Sequence, residues 1–261
     1  MVNRRRSGEE AFRLFCTPLS RYSGKEAAIF LQGEKLEFEL GGNSIKGYRC
    51  NHPQPKKVLL LHGFSSTCHK FDTYAVSLIA KGYEVLAFDA PAHGFSEGIT
   101  VNAVDYSEMI KKVCDLYGPI DAFISHSFGG IAVCLALEEL AHDQHTKLVL
   151  IAPATETNTA IDGAFAFLGI TSKQIRKSME EVIFKLSGKT ADWFSVRRAL
   201  KNIKASVLWV HDEDDLVTPL ADALKVQEDK LPHVKFLITK GLGHQKIYRD
   251  PAVKNSILEF L

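Results

Sequence analysis

Ser125-His126-Ser127-Phe128-Gly129-Gly130 is the segment of this 261-residue chain best suited to covalent chemistry. It follows an apolar run, Ile120-Asp121-Ala122-Phe123-Ile124, and opens a helical pattern over residues 131–137. A serine on a tight strand-to-helix turn presents its hydroxyl at the end of the strand, where it can attack a bound substrate. Serine alkoxide is too basic to form unaided near neutral pH, so a base must lie within hydrogen-bond reach. Gly129 and Gly130 supply the small residues that let strand and helix backbones approach each other after Ser127. Ser125 is the weaker candidate nucleophile, because the residue two beyond it is Ser127 and not glycine.

The base should come from a loop after a late strand. Gly241-Leu242-Gly243-His244 follows the apolar run ending at Ile238, and its glycines leave the loop free to reach over a sheet edge. His244 would accept the proton of Ser127 and return it to the leaving group. The acid should follow the preceding strand. Asp212-Glu213-Asp214-Asp215 offers four carboxylates in a row before Pro219. Such a cluster is otherwise a solvated helix start, and periodicity does not choose among the four. The order serine, acid, histidine matches one serine-hydrolase arrangement. Two backbone N–H groups must face the developing negative charge. Phe128 follows the nucleophile, and Phe64 lies in the turn His62-Gly63-Phe64-Ser65 after the run ending at Leu61.

These residues need a scaffold that brings several strand ends together. Residues 35–40 alternate apolar and polar, Gly41-Gly42-Asn43 follows, and residues 45–48 continue the pattern, as an antiparallel hairpin does. From Lys57 the apolar runs become continuous, as in strands buried on both faces: residues 58–61, 83–88, 120–124, 147–151, 207–210 and 234–238. Helical patterns alternate with them near residues 70–81, 103–117, 128–142, 219–231 and 246–261. This is an α/β chain with a mostly parallel, doubly wound sheet and an N-terminal antiparallel edge. Residues 154–203 break the alternation. Their Phe165, Phe167, Leu168, Ile170, Met179, Ile183 and Phe184 predict two or three helices inserted as a lid at the sheet's C-terminal edge. The alternative is a decoration that covers core and touches no ligand. Residues 1–24 are expected to form a short helix and an extended arm, and residues 1–261 one domain.

Composition narrows the function class. The net charge is +1, from 32 basic and 31 acidic residues, which argues against nucleic-acid binding. The Arg4-Arg5-Arg6 run reads as a solvated tail. No apolar run approaches the roughly 18 residues of a membrane span, and no long apolar segment follows the basic N-terminus as in a signal peptide. The five cysteines are scattered, without CxxC or zinc-ligand spacing, and read as reduced thiols. A cytoplasmic protein, monomer or homodimer, acting on a small molecule without metal or cofactor is expected. No phosphate loop or dinucleotide fingerprint is present.

From residue 35 to 261 the chain resembles the α/β-hydrolase superfamily. The resemblance is carried by His62-Gly63-Phe64, Asp89-Ala90-Pro91-Ala92-His93-Gly94-Phe95-Ser96, the serine turn, the Asp-rich stretch ending at Pro219, and Gly241-Leu242-Gly243-His244. Together and in this order, each after a predicted strand, they imply the α/β-hydrolase fold. The family pattern Gly-x-x-Asp-x-x-x-Pro implies that Asp215 is the acid, with Asp214 as fallback and Asp212 at the usual glycine position, where it would cap or solvate its loop. Ser125 and Ala92 also stand where the family has glycine. His62, His93 and His126 match positions that are usually not catalytic. A serine in place of the aspartate of dehalogenases and epoxide hydrolases implies acyl chemistry. Carboxylic ester hydrolysis is the leading expectation. Thioesterase, acyltransferase or perhydrolase activity at the same residues, and a non-catalytic ligand-binding protein, are the alternatives.

Overall fold

The computed structural model describes residues 4–21 and 24–261. Glu34–Leu40 (β1) and Asn43–Cys50 (β2) form the hairpin, and its turn uses Gly41 and Gly42 at φ 57° and 78°. Both values are positive, the requirement of the tight turn that matches the strand twist. The remaining strands are Lys56–Leu61 (β3), Tyr83–Phe88 (β4), Ala122–His126 (β5), Lys147–Ile151 (β6), Ser206–Asp212 (β7) and Val234–Thr239 (β8). They join in one eight-stranded sheet of order β1-β2-β4-β3-β5-β6-β7-β8. β2 is antiparallel to its neighbours, and all pairs from β4 through β8 are parallel.

Eleven α-helical segments lie among the described residues. They are Arg4–Phe15 (α1), Ala28–Leu31 (α2), Asp72–Ala80 (α3), Ala103–Tyr117 (α4), Phe128–Leu137 (α5) and Thr157–Phe167 (α6). Lys173–Ser187 (α7), Val196–Ala199 (α8), Leu220–Glu228 (α9), Gly243–Lys246 (α10) and Pro251–Phe260 (α11) complete them. The strand period of two divides the core cleanly. Leu59, Leu61, Phe123, Leu148, Leu150 and Trp209 pack on one face with Tyr106, Met109 and Ile110 of α4 and the buried residues of α5. Val58, Leu60, Ile124, Val149, Ile151 and Val210 pack on the other with Tyr74 and Leu78 of α3 and Val253 and Ile257 of α11. Burial on both faces is why these strands read as unbroken apolar runs.

Several boundaries differ from the sequence reading, and three of them have a clear local cause. β5 begins at Ala122, two residues late, and extends through Ser125 and His126. Those polar residues pair in register with Leu150 and Ile151, where their side chains are buried, so hydrophobicity alone ended the strand too soon. α5 stops at Leu137, where the Glu138 carboxylate turns to Arg198 and Asn202. α11 starts at Pro251, capped by Asp250 through the N–H groups of Ala252 and Val253.

The Arg4-Arg5-Arg6 run forms the first turn of α1 and not a loose tail. The side chains of Arg4 and Arg5 lie outside the described residues. α1 packs against α7. A Cβ on Gly8 would sit 2.5 Å from the Ser178 carbonyl, so this glycine sets the closeness of the two helices. Between β6 and β7 the chain forms α6, α7, a short 3-10 turn at Ala191–Trp193, and α8. All five cysteines are unpaired, and all but Cys114 are buried.

Candidate active site

β3, β5, β6, β7 and β8 are parallel, so their C-terminal ends share one edge of the sheet. In such sheets ligands bind outside that edge. The turn after β5 carries Ser127 with φ 52° and ψ −115°, a conformation rarely adopted by a residue with a Cβ. Backbone bonds impose it. The Ser127 N–H donates to Ile151 O at 3.0 Å, and Ser127 O accepts from Gly130 N at 2.9 Å and Ala154 N at 3.0 Å. A Cβ on Gly129 would come within 2.7 Å of Leu61 O, and one on Gly130 within 2.6 Å of the Pro153 Cβ. Both glycines are therefore demanded by the close approach of α5 to the Leu61 carbonyl and to the Pro153 ring.

Ser127 Oγ lies 3.0 Å from His244 Nε2. His244 Nδ1 lies 2.8 Å from Asp215 Oδ2. With an ionised Asp215 accepting from Nδ1–H, Nε2 is left as acceptor for the serine hydroxyl. Asp215 is buried, and burial pushes its carboxyl up. The hydrogen bonds from His244, Thr218 and Val217 outweigh that effect and hold it below the usual carboxylate value. Thr218 supplies its N–H to Asp215 Oδ1 at 2.9 Å and its hydroxyl to Oδ2 at 2.9 Å. His211 braces the same turn: Trp209 Nε1 donates to its Nδ1 at 3.3 Å, and its Nε2 donates to Thr218 O at 2.7 Å.

The four-carboxylate run thus separates by contact. Asp215 meets His244. Asp214 accepts the Gly241 N–H at 3.0 Å, and Glu213 faces Lys240 at 3.1 Å. Asp212 is fully buried and does more than cap its own loop. It accepts from Asp214 N, Leu242 N, Gly243 N and the Thr239 hydroxyl. Sequence reasoning missed this cross-link and the Thr218 and His211 braces. An acidic residue at the position where the family resemblance implies glycine was the available signal for Asp212.

The other serine and histidines are engaged elsewhere. Ser125 Oγ donates to Val149 O at 3.0 Å inside the sheet. His62 accepts from Ala90 N and donates to Gly63 O, and His93 accepts from Ser65 N and donates to Pro91 O. His126 donates through Nε2 to His244 O at 3.0 Å. Burial pushes the His93 and His126 imidazoles down to about 3, so all but strong acid leaves them neutral.

The N–H of Phe128 is the first of α5, one of the groups for which a helix has no internal acceptor. A Cβ on Gly63 would stand 3.1 Å from the Ser127 Cβ, so the turn bearing Phe64 passes directly over Ser127. Ser127 and His244 open into a polar cavity of about 470 Å³, lined also by Phe64, Ser66, Lys70 and Arg249. A second cavity of about 360 Å³ is apolar and lies beneath α1, α6 and α7, against Phe12, Phe15, Phe128, Ile131, Ile183 and Phe194. The rings of Phe64 and Phe128 meet edge to face at 5.4 Å, one lining each cavity. Among the described residues no cluster of His, Cys, Asp and Glu is placed to hold a metal ion, and no helix is long and apolar enough to cross a membrane.

The arrangement has relatives. Residues 52–195 match the model of the Hydrolase_4 family, described as "Serine aminopeptidase, S33". The chain is 27% identical over 251 residues to the lysophosphatidylserine lipase ABHD12 of Danio rerio, which covers 83% of this chain and 60% of that protein's length. The structure is similar to an esterase of Pyrococcus furiosus, with a TM-score of 0.69, 19% identity, and coverage of 94% of this chain and 97% of the esterase. It is also similar to an esterase of Exiguobacterium antarcticum, with a TM-score of 0.66, 17% identity, and coverage of 88% and 99%. The sheet order, the antiparallel first hairpin and these matches together give the chain the α/β-hydrolase fold, and the family match makes it a member of the Hydrolase_4 (serine aminopeptidase S33) family.

Proposed function

We propose that this protein is a serine hydrolase that cleaves carboxylic esters through an acyl-enzyme on Ser127. The observation that carries the reading is the hydrogen-bonded line from Ser127 Oγ to His244 Nε2, at 3.0 Å, and from His244 Nδ1 to Asp215 Oδ2, at 2.8 Å. Ser127 Oγ attacks the ester carbonyl as His244 Nε2 takes its proton. The carbonyl oxygen becomes an oxyanion held by the N–H groups of Phe64 and Phe128. Asp215 keeps the imidazole oriented and stabilises its positive charge. Collapse of the intermediate breaks the bond to the alcohol, which leaves with the proton from His244. A water molecule then gives its proton to His244, attacks the acyl carbon, and releases the acid and free Ser127.

The apolar cavity beneath α6 and α7 suits the acyl chain, and these helices act as its lid. The relatives named a lipase and an esterase are consistent with this chemistry. The substrate is a small to medium acyl compound, processed in the cytoplasm by a monomer or homodimer without metal or cofactor.

The test is labelling with a fluorophosphonate probe beside hydrolysis of p-nitrophenyl esters of increasing chain length. Wild type is expected to label and turn over, and Ser127→Ala to do neither. A folded wild type that neither labels nor hydrolyses any ester sinks the proposal.

A further inference from the structure

The cavity that holds Ser127 is cationic, although the chain as a whole is almost neutral. Arg21, Lys70 and Arg249 line it, and no carboxylate does among the described lining residues. Three acids that adjoin or touch this lining are held by other groups. Asp250 caps α11, Asp215 faces His244, and Asp89 accepts from the Thr67 hydroxyl and the N–H groups of Cys68 and Phe95. One sign of charge within a cleft concentrates its field and draws in ligands of the opposite sign.

The position of Arg249 relative to the reacting atoms assigns it a side of the substrate. His244 returns its proton to the departing alkoxide, so the alcohol portion must lie on the His244 side. His244, Gln245, Tyr248 and Arg249 all line the polar cavity. Tyr248 is buried, with its ring 4.5 Å from that of His126, and His126 in turn bonds to the His244 carbonyl. The Arg249 guanidinium lies on this tyrosine, donating to its hydroxyl from Nη2 at 3.0 Å and Nε at 3.2 Å. It therefore has a fixed base close to the histidine, and its Nη1 edge takes no part in that contact. Arg21 comes from the N-terminal segment, and one of its N–H groups donates to the Gly98 carbonyl. Lys70 comes from the 3-10 turn Cys68–Phe71 that follows the Phe64 turn.

On the serine-hydrolase reading above, we propose that the alcohol portion of the ester carries a negative charge, phosphate or carboxylate, bound by Arg249, Lys70 and Arg21. A planar guanidinium takes either anion through paired N–H donors, and the ammonium adds a point charge. Each cation is exposed, so each contributes little alone. Selectivity comes from the three acting on one group. This divides the two cavities by chemistry: the charged alcohol occupies the polar one, and the acyl chain passes the Phe64–Phe128 ring pair into the apolar one.

The experiment compares three octanoyl monoesters below their micelle concentrations: of glycerol, of glycerol phosphate and of glycerate. Wild type at low salt is expected to show kcat/KM at least about tenfold higher for the charged esters, mainly through KM, as charge-assisted hydrogen bonds provide. Preference for the phosphate over the glycerate arm would identify a phosphate-bearing substrate, and equal preference would extend the site to any such anion. The ratio of charged to neutral ester should fall toward one in the triple variant Arg21→Gln, Lys70→Gln, Arg249→Gln, and as NaCl screens the exposed charges. It should fall below one in Arg249→Glu. Fluorophosphonate labelling of Ser127 in each variant reports an intact site. Equal kcat/KM for charged and neutral esters in a wild type that labels overturns this proposal alone, as does a preference unchanged in the triple variant. Absence of both label and turnover overturns the parent reading and this one with it.

Discussion

The carboxylate of Asp212 accepts the N–H of Gly243 at 2.9 Å, one residue before His244. The same carboxylate takes Leu242 N at 3.1 Å, the Thr239 hydroxyl at 2.7 Å and Asp214 N at 3.0 Å. One buried side chain thus joins the loop that carries Asp215 to the loop that carries His244. Burial pushes the Asp212 carboxyl up, but these donors outweigh it and hold it below the ordinary value.

Asp212→Asn keeps the size of the side chain and turns one acceptor into a donor that faces an N–H. Lost bonds in such a buried place cost about 1–3 kcal/mol. The expected result is a kcat about tenfold lower with KM little changed, and a melting temperature lower by about 3–8 °C. Steady-state kinetics and calorimetry check it. An unchanged kcat would show that His244 does not depend on this tether.

Ser127 holds a backbone conformation that is strained for a residue with a Cβ. Non-glycine residues at such backbone angles cost about 1–3 kcal/mol. Ser127→Gly should raise the melting temperature while lowering kcat/KM by about 10³-fold or more. Ser125→Ala should keep the fluorophosphonate label, because that hydroxyl is spent on Val149 O. A label that follows Ser125 would reassign the nucleophile.

Gly63→Ala should damage turnover more than stability. The added Cβ would lie 3.0 Å from His126 Nδ1 and 3.1 Å from Ser127 Cβ. The turn would move and carry the Phe64 N–H with it. Loss of one oxyanion donor lowers kcat by about 10²–10³-fold. Comparison of kcat and melting temperature with wild type tests this, and full activity would remove Phe64 from its assigned role.

Acid should weaken the fold before the carboxylates are protonated. His93 and His126 are held down to about 3 by burial, against an ordinary value near 6.5. Between those values the unfolded chain binds more protons than the folded one, so stability is full above pH 6.5 and falls as pH drops toward 3. Each residue adds a slope of up to about 1.4 kcal/mol per pH unit. Urea denaturation at pH 7 and pH 5 measures the slope, and His126→Gln should flatten it by about one proton. An equal slope in that variant would contradict the assignment.

Much of the sheet was legible because its strands are buried on both faces and therefore continuously apolar. Residues 83–88 and 147–151 coincide with β4 and β6. The reading failed where tertiary contacts replaced hydrophobicity. Ser125 and His126 extend β5 because their polar atoms find partners on Val149 and on the His244 carbonyl. The Arg4-Arg5-Arg6 segment becomes helical in α1, which packs on α7 through the contact of Gly8 with Ser178.

For the site, residue types at successive strand ends nominated Ser127, His244 and a choice of acids, because parallel strands deliver their C-terminal ends to one edge. Choosing among Asp212, Glu213, Asp214 and Asp215 by contact required the tertiary structure. Those carboxylates are adjacent in the chain but face different partners once β7 and β8 are paired. The placement of a cationic cavity beside an apolar one is also a tertiary property. Arg21, Lys70 and Arg249 come from distant parts of the chain, and no local pattern records that they meet around Ser127.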